Sequence, residues 1–143
     1  MGNIELSQID LYKDIMSGFP TGVTIITTTD ENNNPVGLTI NSFTSVSLEP
    51  LLVSWCIAKT SDSLKAFQNS AKFAVNILSG SQEKECFIFA NKKDKDRFSK
   101  VQWEMSQHYL PLLQGVYAVF ECEKIDEIEA GDHYILIGKV FNL

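Results

Sequence analysis

The chain has little cysteine, no long apolar run and no excess of positive charge. Its three cysteines, Cys56, Cys86 and Cys122, are odd in number and widely separated, without a C-x-x-C pair. That argues against a disulfide framework and against a zinc knuckle. Cys56 falls in an apolar run and Cys122 in an alternating strand pattern, so both are expected to be inert core fillers. The longest apolar run, Leu51 to Ala58, is interrupted by Ser54 and too short to span a bilayer. Met1 to Glu5 lack the basic segment and apolar stretch of a secretion signal, and Ser7 is misplaced for myristoylation. The expectation is a cytoplasmic protein with no membrane contact. Twelve basic and 18 acidic residues give a net charge of -6, which argues against nucleic acid as a partner. No serine triad, carboxylate dyad or metal cluster stands out, so no metal is expected.

What is present is an ordinary globular composition, 44% hydrophobic and 21% charged over 143 residues. That length suits one domain with a single good core, here residues 1–143. The charge is unevenly spread. Lys59 through Lys100 hold nine basic and five acidic residues, a local +4, against three basic and thirteen acidic elsewhere, a local -10. An acidic protein that binds a phosphate must gather positive charge locally; a solvated basic helix-loop has the same composition.

Apolar spacing from Ile4 to Met16 predicts a short amphipathic helix, ended by Gly18, Pro20 and Gly22. Val23 to Thr29 is β-branched throughout and predicts a strand, joined through the turn residues Asp30 to Pro35 to a second strand, Val36 to Ile40. Leu51 to Ile57 predicts a strand buried on both faces. Ser61 to Gln68 predicts a helix capped by Ser61, Lys72 to Leu78 a strand, and Gln82 to Ala90 a helix. Val116 to Ile128 and His133 to Phe141 predict long strands separated by a turn over Glu129 to Asp132. Many strands with a few short helices suggest a mainly β fold, a small barrel decorated with helices.

Four segments carry candidate chemistry. Thr39-Ile40-Asn41-Ser42-Phe43-Thr44-Ser45-Val46-Ser47 threads apolar residues through six small hydrogen-bonding ones. It suits either a buried wall facing the polar edge of something flat, or a β-edge with its hydroxyls in water. Lys59-Thr60-Ser61-Asp62-Ser63 follows a buried strand and opens the expected helix, which makes it a phosphate seat or a plain cap. Lys92, Lys93, Lys95 and Arg97 form the densest basic cluster; Arg97 suits an anion, or a salt bridge to Asp94 or Asp96. His133 follows Gly131-Asp132 at a strand start.

Read together, these words resemble the flavin reductase-like, FMN-binding split-barrel family. The matching segments are Phe19 to Thr24, Gly37 to Pro50, Phe73 to Leu78, Asp96-Arg97-Phe98 and Gly131-Asp132-His133, in register from about Tyr12 to Val140. The resemblance implies a split β-barrel homodimer that binds FMN, or FAD, and takes hydride from NADH or NADPH. It implies flavin contacts at Thr39, Ile40, Asn41, Ser42, Ser45, Val46 and Ser47, and phosphate contacts at Lys59, Thr60, Ser61 and Ser63. Arg97 and Phe98 are implied near the flavin's phosphate or ring, and His133, Pro20 and Thr21 beside the nicotinamide. The implied activity is flavin reduction, with an oxygenase as recipient. The alternative is an FMN-holding electron carrier serving a rubredoxin-like or other redox partner. Members of the family usually continue past the strand corresponding to His133 to Phe141, which implies either a dispensable segment or a more open site here.

Overall fold

A computed structural model describes residues 8–11 and 22–143. Residues 8–11 are helical, and the rest of the expected N-terminal helix lies outside the described residues. The described residues form nine strands: β1 (Thr24–Thr29), β2 (Pro35–Ile40), β3 (Thr44–Leu48), β4 (Leu51–Ala58), β5 (Lys72–Ile77), β6 (Trp103–Met105), β7 (Pro111–Leu113), β8 (Ala118–Ala130) and β9 (His133–Asn142). Helices α1 (Leu64–Asn69) and α2 (Glu83–Ala90) flank β5, and a 3-10 turn covers Arg97–Lys100. Seven strands form one antiparallel sheet in the order β2-β1-β5-β8-β9-β4-β3, while β6 and β7 make a separate ribbon. The fold is thus mainly β with short helices. The sheet is not closed, since its end strands β2 and β3 do not pair. No helix among the described residues is long and apolar enough to cross a membrane.

The turns follow from local chemistry. Asp30 Oδ1 accepts the N–H groups of Asn32 and Asn34, both at 2.9 Å, and Asn33 takes the left-handed conformation that asparagine tolerates. Gly131, at φ +62, makes the tight turn between β8 and β9. Ala130 pairs with His133, so the strands extend two residues further into the expected Glu129–Asp132 turn.

Strand β1 is buried on both faces. Ile26 enters the main core with Trp55, Phe67, Phe73, Val75 and Leu136, while Ile25 packs against Phe89 and Leu113 on the other side. Trp55 meets Phe67 and Phe73 edge-on, with centroids 4.9 and 5.7 Å away. The buried threonines of β1 bond to main chain: Thr24 to the Ile40 carbonyl, Thr27 to Pro111 and Thr28 to Lys72. A buried strand carries this many hydroxyls only because each finds a partner.

Two expectations need correction. Strand β4 alternates: Val53, Trp55 and Ile57 are buried, whereas Leu52, Ser54, Cys56 and Ala58 are half-exposed. One face belongs to the core and the other includes Cys56 and Ala58 in the wall of a cleft, so Cys56 is not a core filler. Cys122 is one, and burial pushes its thiol up to about 12. Helix α1 begins at Leu64 rather than Ser61. The Leu64 N–H bonds to the Ser61 carbonyl and the Ser63 N–H to Ser61 Oγ, a turn that precedes the helix.

Candidate functional site

A cleft of about 480 Å³ lies between β2, the end of β4, the loop before α1, the last turn of α2 and the loop running to Phe98. On its β2 wall Gly37 has no side chain, which lets two aromatic rings approach the strand closely. A Cβ there would stand 3.0 Å from Phe89 Cε1 and 3.1 Å from Phe98 Cζ. The two rings therefore pack directly on β2, edge to face at 5.0 Å, with Trp103 edge-on to Phe98 at 5.3 Å. This aromatic stack fixes the 3-10 turn, and with it the neighbouring Arg97.

Arg97 Nη1 donates to the Gly37 carbonyl at 2.7 Å and Nη2 to the Asn91 carbonyl at 2.8 Å. Its Nε is buried and has no partner among the described residues. The salt bridges once open to it are not made, because nearby carboxylates are engaged elsewhere. Asp94 holds Lys100 at 2.6 Å, Asp96 accepts the Ser99 hydroxyl at 2.7 Å, and the further neighbour Asp62 holds Lys95. Burial pulls the guanidinium down from its ordinary value, against the opposing pull of Asp94 and Asp62. Lys92 lines the same rim, and among the described residues no carboxylate pairs with it.

Across the cleft stand Thr60, Ser61 and Ser63. Lys59 does not join them. Its ammonium pairs with Glu129 at 2.7 Å and lies 5.5 Å from the centre of the Tyr134 ring; the Glu129 hydrogen bond raises its pKa.

The hydroxyl-rich stretch divides in two. Thr39, Ile40, Asn41 and Ser42 line the cleft. Ser45, Val46 and Ser47 lie outside it, on edge strand β3 paired with β4. Even within the first group the hydroxyls are occupied. Thr39 Oγ1 donates to the Cys86 carbonyl at 2.7 Å, tying β2 to α2. Ser42 Oγ accepts the Cys56 N–H at 2.9 Å and stitches the end of β2 to β4 across the opening of the sheet. Asn41 is exposed at the wall and its side chain makes no bond among the described residues.

His133 also lines the cleft, carried there by pairing of β9 with Ala58. Its Nδ1 meets Asp132 at 2.8 Å, and that contact holds the Asp132 carboxyl below its usual range. Pro20 and Thr21 lie outside the described residues. The sequence reading missed Gly37, Phe89 and Cys56 as cleft residues. Only their three-dimensional packing reveals them, although a lone glycine inside a strand pattern is a known sign of close approach.

A cleft with an apolar wall of Ile40, Phe89 and Phe98, a cationic rim and a few polar side chains suits a flat ring carrying an anionic tail. Residues 16–143 match the family model described as flavin reductase like domain, and the chain belongs to that family. Over 137 residues it is 44% identical to the reductase component of a flavin-dependent trigonelline monooxygenase of Acinetobacter baylyi, a match covering 96% of this chain and 44% of that protein. Over 128 residues it is 43% identical to Stc3, the stachydrine N-demethylase reductase subunit of Rhizobium meliloti, covering 90% of this chain and 55% of the other. The chain thus spans about half the length of these two curated relatives. Among solved structures it is similar to the NADH:FAD oxidoreductase SgcE6 of Streptomyces globisporus, seen in complex with NAD and FAD fragments. The TM-score is 0.89 at 34% identity, over 99% of this chain and 85% of that one.

Proposed function

We propose that the chain is an NAD(P)H-dependent flavin reductase that takes FMN or FAD in this cleft and serves as the reductase component of a two-component monooxygenase. The observation that carries the reading is Arg97, a half-buried guanidinium that, among the described residues, has an unused donor and no carboxylate partner, set beside an aromatic wall. The residues fit the group. Arg97 and Lys92 supply fixed positive charge for a phosphate, and Thr60, Ser61 and Ser63 face them across the opening. The Ile40 and Phe98 side of the cleft offers apolar surface to a ring, with Asn41 as a free polar group for its edge. His133 is assigned to the nicotinamide donor, its ring oriented by Asp132. Ser45, Val46, Ser47 and Lys59 act at second hand, through strand pairing and the Glu129 ion pair.

When bound, the flavin supplies a hydride acceptor and the reduced nicotinamide the donor. The chain's own contribution is to hold the two partners in register and exclude water. Positioning of that kind is worth about 7–11 kcal/mol of a barrier and needs no nucleophile or strong acid. A split barrel and a homodimer belong to the same proposal. Exposed Val46 and Leu48 on edge strand β3, and Ile125 and Ile128 on β8, are apolar surface that a second copy would cover. A cytoplasmic location, with an oxygenase receiving the reduced flavin, completes it.

The test is to mix the protein with free FMN or FAD and NADH or NADPH and follow donor oxidation. Many turnovers per protein are expected. A yellow protein that accepts electrons from a reduced carrier protein, yet leaves the nicotinamide unoxidised, would establish the electron carrier instead.

A further inference from the structure

We infer that Asp62 is a resident counterion of the cleft's cationic rim, which keeps phosphorylated flavin exchangeable by competing with its phosphate for Lys95. The inference rests on the reading of the cleft as a flavin site. Asp62 sits between Ser61 and Ser63 on one lip of the cleft, and Lys95 sits on the loop forming the other lip. Their side chains pair across the opening. Asp62 is the only carboxylate among the described lining residues that lies well exposed. Asp94 also lines the cleft, but it is 7% exposed, bonded to Lys100 and to the Asp96 N–H, and so fixed in the architecture.

The Asp62–Lys95 pair has the opposite character. The two side chains are 72% and 71% exposed, the class of ion pair that contributes least and exchanges most easily. Asp62 also feels more than one cation. The hydrogen bond from Lys95 is the main cause of its lowered pKa, and Arg97 and Lys92 add to it. The same three cations face an incoming phosphate, which carries about -1.5 to -2 charges against one for the carboxylate. Binding then proceeds by exchange: Lys95 leaves Asp62 for a phosphate oxygen, and Asp62 turns to water but continues to repel the anion. A reductase that hands its product to another protein gains from such a device, since release of product limits many turnover rates.

Titration of Asp62→Asn with FMN and with riboflavin, followed by flavin fluorescence, tests the inference. Riboflavin lacks the phosphate and serves as the internal reference. The variant should bind FMN about fivefold more tightly, with riboflavin affinity unchanged. Asp62→Ala should shift FMN in the same direction, and both gains should shrink as salt is raised. FMN affinity that falls or stays the same in both variants, or a gain shared equally by riboflavin, overturns the inference. Circular dichroism of both exposed-site variants checks that the fold is retained. If the unaltered chain binds neither FMN nor riboflavin, the flavin reading itself fails. If it binds both and the variants leave their ratio unchanged, only the counterion fails.

Discussion

The two walls of the cleft use polar side chains in different ways. On the strand wall, Thr39 and Ser42 are tied to main-chain groups of Cys86 and Cys56, so their hydroxyls build the frame. On the loop wall, Arg97 bonds the Gly37 and Asn91 carbonyls through its Nη atoms, while among the described residues its Nε is unused, Lys92 has no carboxylate and Lys95 holds an exposed, exchangeable Asp62. Hydroxyls are short, and beside a strand they reach neighbouring carbonyls before they reach a ligand. The longer cations of the loop reach carbonyls too, as Arg97 does at Gly37 and Asn91, but they keep a positive charge that a hydroxyl lacks. The contrast places hydroxyls built into the frame on β2 and the rim's positive charge on the Lys92–Arg97 loop.

The largest expected effect comes from Arg97→Ala. Removing a charged donor should weaken FMN by about 2 kcal/mol, roughly thirtyfold, and riboflavin much less, as read by fluorescence titration. Equal losses for both flavins would mean that Arg97 only braces the loop. Gly37→Ala pushes a methyl group into Phe89 and Phe98 and should lower stability by about 2 kcal/mol in urea unfolding. His133→Ala should raise KM for the nicotinamide about tenfold, or about 1.4 kcal/mol, and leave flavin affinity in place. The reverse pattern would move His133 to the flavin side.

Thr39→Val tests the frame directly. It should lower stability by about 1 kcal/mol through loss of the Cys86 bond, with little change in flavin affinity. A selective loss of flavin affinity with unchanged stability would break the distinction between the walls. The smallest effect concerns Glu121, another polar group held within the frame. Burial raises its pKa, but hydrogen bonds from Asn142, Ser106 and His108 outweigh that and hold it below the ordinary 4.5. With a depressed folded value, its ionised form stabilises the protein above the unfolded value, and that contribution is lost as pH falls through the folded one. Glu121→Gln should remove this acid-limb loss, seen as a urea midpoint that declines less between neutral and acidic pH.

Much of the frame was legible in the residues. The β-branched run of β1, the Asp30 turn, the long β8–β9 hairpin and helix α2 all follow from local chemistry, and their boundaries fall close to expectation. Strands β6 and β7 were not legible, because each has three residues and exists by pairing with the other across an irregular loop. The start of α1 was misread because Ser61 makes an ordinary turn with Ser63 before helical bonding begins. The loop residues Thr60 to Ser63 and Arg97, singled out by their types, and Phe98, singled out by the family resemblance, line one cleft, and His133 joins them through strand pairing. The hydroxyl-rich stretch misled in part. Composition reveals that Ser45 and Ser47 are polar, but not that β3 carries them along the sheet edge away from the cleft.

The most direct test of the account is a crystal structure of the chain with FMN. The account predicts the ring against the Ile40 and Phe98 wall and the phosphate at Arg97 and Lys92, facing Thr60 and Ser63. A phosphate seated on the hydroxyls of β3, or a ring bound elsewhere with Arg97 untouched, would contradict it.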